Sequence, residues 1–257
     1  MIRLVLISAM VLLAGCGSGS DSASSSPPSV APLPPSPPSP PPLSSPLAHP
    51  YTTNFLLSED PISENGAWVN GGTTGLDWSN VQTTAGRAFG TQSGTDACPI
   101  CYNDSTAILA GLWNPDQSVQ ATVFLTNPLT GGACCQEVEL RLRTQISSSM
   151  ITGYEINWKA TSDGSQYCQI VKWNGALGDF TAVNPDAGNM CPGLTNGAVI
   201  SASITGNRIT VQQNGVTIAT ATDSTFTSGS PGIGFFQLSQ PGTDNTFGFT
   251  SFTASDS

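Results

Sequence analysis

Residues 208–221 read Arg-Ile-Thr-Val-Gln-Gln-Asn-Gly-Val-Thr-Ile-Ala-Thr-Ala. Two runs rich in β-branched residues flank Asn214-Gly215, the residue pair best suited to the positive φ angles of a type I′ turn. The stretch reads as a β-hairpin, Arg208 to Gln213 against Val216 to Ala221. The same alternation recurs on both sides of it. Val119 to Leu125 is one strand candidate, and Val138, Leu140 and Leu142 alternate with Glu137, Glu139, Arg141 and Arg143. Tyr154, Ile156 and Trp158 alternate with Glu155, Asn157 and Lys159, and Tyr167 to Trp173 is an apolar-rich run closed by Asn174-Gly175. Gly232 to Leu238 and Thr246 to Ala254 follow near the end. No apolar pattern of helical period reaches helix length between Tyr51 and Ser257. Short strands separated by turn residues predict an all-β, two-sheet antiparallel β-sandwich.

Composition narrows the function. Charged residues make up 9 % of the 257-residue chain, against about a quarter in an ordinary soluble domain, so its surface is neutral polar. Seven Lys and Arg face 17 Asp and Glu for a net charge of -10, too few cations to neutralise a row of phosphates. Nucleic acid is excluded as a partner.

The chain opens with Arg3 and an apolar run from Leu4 to Ala14, shorter than the roughly 20 residues a spanning helix needs. It ends in Leu13-Ala14-Gly15-Cys16, which resembles the lipobox of bacterial lipoprotein precursors. That resemblance implies removal of residues 1–15 and acylation of Cys16, hence a lipid bilayer as partner. Gly17 stands where an inner-membrane retention signal would have Asp, so the expected location is the bacterial outer membrane or cell surface. Pro27 to Pro50 carries 12 prolines in 24 residues and can form neither helix nor sheet core. As a polyproline II rod it would extend roughly 75 Å. The expected organisation is a signal peptide at 1–15, a lipidated Cys16 with a Ser/Pro-rich linker to residue 50, and one domain over 51–257.

Six cysteines follow Cys16: Cys98, Cys101, Cys134, Cys135, Cys168 and Cys191. An even number in an exported domain suggests disulfides, with Cys168 paired to Cys191 and the first pair crosslinked to the second. A four-thiolate zinc site on Cys98, Cys101, Cys134 and Cys135 is the alternative, and adjacent strand residues pointing to opposite faces speak against it.

Residues 66–82, with Gly66-Ala-Trp-Val-Asn-Gly-Gly72 and Leu76-Asp-Trp-Ser-Asn-Val-Gln82, resemble the first strands of concanavalin A-like, laminin-G-like jelly rolls. So do Gln136 to Arg143, Gly153 to Trp173, Pro231 to Phe236, and Phe247 to Phe252. The resemblance implies two curved antiparallel sheets and carbohydrate bound at the concave face or the rim loops. Catalysis does not follow from it, because the superfamily mixes lectins, binding modules, glycosidases and lyases.

With the sole histidine, His49, read into the linker, Ser-His-Asp, Cys-His and His-zinc chemistry cannot be assembled in the domain. Carboxylates remain. Glu137 and Glu139 share one face of a strand, as the paired acids of jelly-roll glucanases do. Those enzymes follow Glu-x-Asp-x-x-Glu or Glu-x-Asp-x-Glu, whereas Leu142 or Arg141 stands here at the last Glu. The plainer reading makes Glu137, Glu139, Arg141 and Arg143 partners of Glu155 and Lys159 in ion pairs on a solvated sheet face. For sugar binding the candidates are Trp113 and Trp173 beside turns at the rim, with Glu137, Glu139 and Arg141; Trp158 and Tyr154 belong to the core. No cofactor is expected beyond a structural calcium, with oxygen ligands in the Glu59-Asp60 to Glu64-Asn65 loop or at Asp223 and Asp244. The function expected is a non-catalytic, glycan-binding jelly roll. A glycoside hydrolase using Glu137 and Glu139, and a structural or adhesive envelope module, are the alternatives.

Overall fold

Among the described residues, alternating positions along fifteen strands sort themselves to two faces, and the apolar faces of two antiparallel sheets close on each other. The computed structural model describes residues 49–75, 77–95, 103–128, 130, 135–184, 191–238 and 243–257. The expected signal peptide, Cys16, the expected linker up to residue 48, Cys98, Cys101 and Cys134 lie outside these residues.

The strands are β1 (Tyr51–Thr53), β2 (Trp68–Asn70), β3 (Val81–Thr84), β4 (Arg87–Gly90), β5 (Ser105–Leu109), β6 (Gln117–Leu125), β7 (Gln136–Ser147) and β8 (Met150–Lys159). They continue as β9 (Cys168–Gly175), β10 (Phe180–Ala182), β11 (Val199–Thr205), β12 (Arg208–Gln213), β13 (Val216–Thr222), β14 (Ser230–Gln237) and β15 (Phe247–Asp256). One sheet runs β13-β12-β11-β6-β15-β4-β3, with β1 also paired to β15, and the other runs β10-β9-β8-β7-β14-β5-β2. We call them the eight-stranded and seven-stranded sheets. Val138, Leu140, Leu142, Ile156, Trp158 and Phe235 of the seven-stranded sheet are fully or almost fully buried. They belong to one core with Val119, Ala121, Val123, Ile200, Ile204, Phe249 and Phe252 of the eight-stranded sheet. Trp158 and Tyr154 are core residues, as their alternation requires.

The β12–β13 hairpin forms as read, with Asn214 and Gly215 at φ 52° and 77°, the two positive angles of a type I′ turn. Cys168 is bonded to Cys191, with a Cα–Cα distance of 5.8 Å. Cys135 is also disulfide-bonded, so it is not available as a thiolate ligand.

Two expectations change. Arg143 does not join the face of Glu137, Glu139 and Arg141, because β7 bulges between Leu142 and Gln145 and Arg143 itself sits at φ 48°. One extra residue in a strand turns the following side chains to a new direction. The Arg143 guanidinium instead donates to the carbonyls of Pro115, Phe226 and Gly206 at 2.6–2.9 Å, tying loops together. His49, read as linker, is fastened to the domain: its ring stacks on Trp113 at 3.7 Å and its Nδ1 lies 2.7 Å from Asp256. The ordered fold thus includes His49, two residues before the expected domain start at Tyr51. Neither of its partners belongs to the carboxylate group described next.

Candidate functional site

Strand period places Glu137, Glu139 and Arg141 on the face of β7 turned away from the core. Register sets Glu155 of β8 opposite Arg141, and Gly234 of β14 opposite Glu139. Gly234 leaves the space through which these side chains lie toward β5. A Cβ there would come within 2.2 Å of Glu139 Oε2 and 2.7 Å of Arg141 Nη2. Asp104, just before β5, completes the group. Arg141 Nη2 lies 2.5 Å from Glu139 Oε2 and 3.3 Å from Asp104 Oδ2, and Nη1 donates to Glu155 Oε2 at 3.0 Å. Glu155 also accepts from Trp173 Nε1 at 2.6 Å and Asn157 Nδ2 at 3.1 Å.

This face is not solvated. Glu139 and Arg141 are completely buried, and Asp104 and Glu155 nearly so. The cover is aromatic: Trp78 lies over the Arg141 guanidinium at 5.2 Å and meets Trp173 edge-on at 4.4 Å, with Ile151 packed beside them. The segment carrying Trp78 is pinned where Ser149 N donates to the Gly75 carbonyl at 2.9 Å. The expected cross-strand ion pairing of Arg141 with Glu155 is therefore present, but beneath a tryptophan roof instead of in water. Arg141 is correspondingly far from any ligand arriving from solvent.

Three carboxyls around one guanidinium leave an excess of negative charge in a place that water does not reach. Burial pushes the carboxyls of both Asp104 and Glu139 well above their ordinary range. The charge of Glu155 adds to this for Asp104, and the charges of Asp104 and Glu155 add to it for Glu139. Next to them, Glu137 accepts a hydrogen bond from the Tyr167 hydroxyl and pairs in register with Lys159. Burial raises Glu137 to about 7, against the lowering effect of the Tyr167 bond.

Asp104, Glu139 and Glu155 are also a group whose ligand oxygens all lie within 4.8 Å of one another, and Glu139 Oε1 has no partner. Their donor chemistry suits calcium. Their centre, however, is already filled by the Arg141 guanidinium, so the geometry fits that cation and not a second one beside it. Among the acids expected to hold calcium, Glu59, Glu64 and Asp223 are committed elsewhere. Glu59 accepts from the backbone N–H groups of Ser63 and Glu64 at 3.0 and 2.8 Å. Glu64 accepts from Tyr51, Thr53 and, at 2.8 Å, Trp68 Nε1. Asp223 binds Lys172 at 2.8 Å and Tyr154 at 2.7 Å, and is held below the usual carboxylate range by these donors despite its partial burial. Asp244, pushed up by burial to about 7, is not part of that group of three.

The two rim tryptophans are not exposed platforms. Trp113 is roofed by His49 and donates through Nε1 to the Ala110 carbonyl at 3.1 Å. Trp173 is buried on Glu155, and the half-exposed Phe180 covers its outer side at 5.2 Å. Near Trp113 a shallow groove of about 420 Å³ runs past the exposed Leu112, Gln145 and Ser228. Sequence reasoning missed Asp104 and Trp78 as members of the buried group. Asp104 carries no local signal, since it joins from a position 37 residues before Arg141.

No family model matches the chain, and no curated protein matches it. Solved structures do. The metal-free carbohydrate recognition domain of Emp46p superposes with a TM-score of 0.51 at 12% identity, over 80% of this chain and 96% of that one. The metal-free exoplasmic/lumenal domain of VIP36 gives 0.50 at 8% identity, over 81% and 94%. The fold is the concanavalin A-like jelly roll. The carbohydrate-binding module CBM66 of Bacillus subtilis is also similar, at 0.48 and 13% identity over 76% and 96%.

Proposed function

We propose that this chain is an exported lipoprotein, anchored through an acylated Cys16 at the outer membrane or cell surface of a bacterium. On a Pro-rich spacer it would display a non-catalytic jelly roll that binds glycans. The observation that carries the binding function is the likeness of fold, across 80% of the chain, to a protein named as a carbohydrate recognition domain. The low charge supports the same reading, because neutral sugars are held by hydroxyl, amide and ring contacts without cationic clusters. The non-catalytic part rests on Glu139, whose carboxyl is fully buried against Arg141 and cannot meet a substrate while Trp78 and Trp173 stay in place.

One observation favours the glycosidase alternative. Glu137, at about 7, lies in the range of a general acid. A polysaccharide array with product analysis on every glycan retained separates the two. Binding without turnover is expected. Turnover that Glu137→Gln abolishes would make the protein a glycoside hydrolase, and retention of no glycan would leave a structural or adhesive module. The anchor has its own check: mass spectrometry of the mature N-terminus is expected to find an acylated Cys16, and an unmodified peptide starting elsewhere would refute it.

A further inference from the structure

The outer face of the eight-stranded sheet is built differently from that of the seven-stranded one. Pairing register brings Thr52, Thr253, Gln120, Ser201, Gln212 and Thr217 into one continuous row across β1, β15, β6, β11, β12 and β13. A second row beside it joins Ser255, Ser118, Ser203, Thr210 and Thr220. Strands lie about 4.8 Å apart and same-face residues about 7 Å apart along a strand, so the first row reaches roughly 24 Å. Each residue of both rows is exposed or partly exposed, and none is charged. Among them lies a groove of about 380 Å³.

Local pairs hold the rows in place. Ser118 and Ser255 hydroxyls are 2.8 Å apart, Thr52 and Thr253 3.2 Å, and Gln212 Nε2 is 3.4 Å from Thr217 Oγ1. A hydroxyl has one donor and two acceptor sites and an amide two of each, so every member keeps capacity to spare after these bonds. Side chains already steadied by neighbours lose less freedom when a ligand arrives.

We infer that this doubled row of hydroxyls and amides is the glycan-binding face, and that its ligand is an extended, uncharged polysaccharide chain. The inference rests on the glycan-binding function proposed above and adds the face and the ligand class. Charge decides the class: a uronate or sulfated chain would meet no cation within either row and only Arg208 one step beyond Thr210, whereas neutral sugar hydroxyls can both donate to the rows and accept from them. Length decides for a chain over a single sugar, since a row spanning six strands outreaches one ring several times. The carboxylate-bearing face of the seven-stranded sheet cannot compete while Trp78 and Trp173 cover it.

The test is affinity electrophoresis of the detergent-solubilised full chain through gels containing galactomannan, xyloglucan or mixed-linkage β-glucan, with polygalacturonate and chondroitin sulfate as charged comparators. Retardation is expected by at least one neutral polymer and by neither charged one. The double variant Gln120→Ala, Gln212→Ala is expected to bind about tenfold more weakly or worse, as two hydrogen bonds are lost. Both side chains reach solvent, so its thermal midpoint should match the parent and separate lost binding from lost folding. Ser203→Asp, which places a charge in the second row, should weaken binding with the same unchanged midpoint. If the parent is retarded by a neutral polymer and both variants equally so, the face is wrong while the glycan-binding function stands. Preference for a charged polymer overturns the ligand class. If no polymer retards the parent, the glycan-binding function falls, and this inference with it.

Discussion

Replacing Arg141 by Met is expected to lower the unfolding free energy by about 3–5 kcal/mol at pH 8, the cost of leaving buried charge without its partner. Arg141 is completely buried and answers Asp104, Glu139 and Glu155 together. Met is close to it in length, so the loss is electrostatic more than a cavity. The cost should shrink at pH 5, where the orphaned carboxyls can take up protons. Adding Asp104→Asn, Glu139→Gln and Glu155→Gln to Arg141→Met should restore most of the stability, because replacing every member of a buried ionic group is far milder than removing one. Denaturant unfolding of these variants at the two pH values measures this. A loss below about 1 kcal/mol at pH 8 would mean that water enters the cluster and Trp78 does not seal it.

The second large effect is the pH dependence of the parent, which should run against the habit of most proteins. Glu137 titrates near 7 when folded and at about 4.5 when unfolded. Between these values the folded state binds more protons than the unfolded one, so stability falls as pH rises. A gap of roughly 2.5 pH units at about 1.4 kcal/mol each corresponds to roughly 3–4 kcal/mol, present below pH 4.5 and lost by about pH 7. Asp104, Glu139 and Asp244 are raised as well and act in the same direction. Asp223 is lowered and acts oppositely: its stabilisation is present above the unfolded value of about 4 and lost as pH falls further. Thermal midpoints should therefore be highest at mildly acid pH and decline toward pH 8. Glu137→Gln, whose amide oxygen can still accept from Tyr167, should flatten the decline and raise the midpoint at pH 8. A midpoint that climbs from pH 5 to 8, or a slope unchanged by Glu137→Gln, would show that Glu137 is ionised and solvated.

Both effects arise where the jelly roll spends its few charges. Most of the surface is uncharged, and Asp104, Glu137, Glu139, Arg141, Glu155 and Lys159 are gathered on one face of the seven-stranded sheet and covered. The opposite outer face keeps hydroxyls and amides in the open. Open polar groups and buried charges are thereby separated to the two outer faces of one sandwich.

Much of this architecture was legible in residue order because strand structure is a local property. A period of two decides which residues share a face, so Glu137, Glu139 and Arg141 could be grouped, Tyr154 and Trp158 assigned to the core, and Asn214-Gly215 made a turn. The even number of cysteines pointed to disulfides, and Cys168 with Cys191 is one of them. What lies above a face is not local. Periodicity makes a charged face look solvated, yet Trp78 arrives over Arg141 from 63 positions earlier in the chain and Asp104 from 37. A bulge at Arg143 then breaks the period itself. Likewise a turn beside Trp113 reads as an exposed rim until His49, 207 positions from Asp256, is held there by that carboxylate and closes over the ring. Residue order alone determined eight of the described strands, most of their faces, the turn and the scarcity of charge. Only the tertiary structure decided which charged face was taken out of water and which polar face was left in it, because burial depends on segments that meet through folding and not through adjacency.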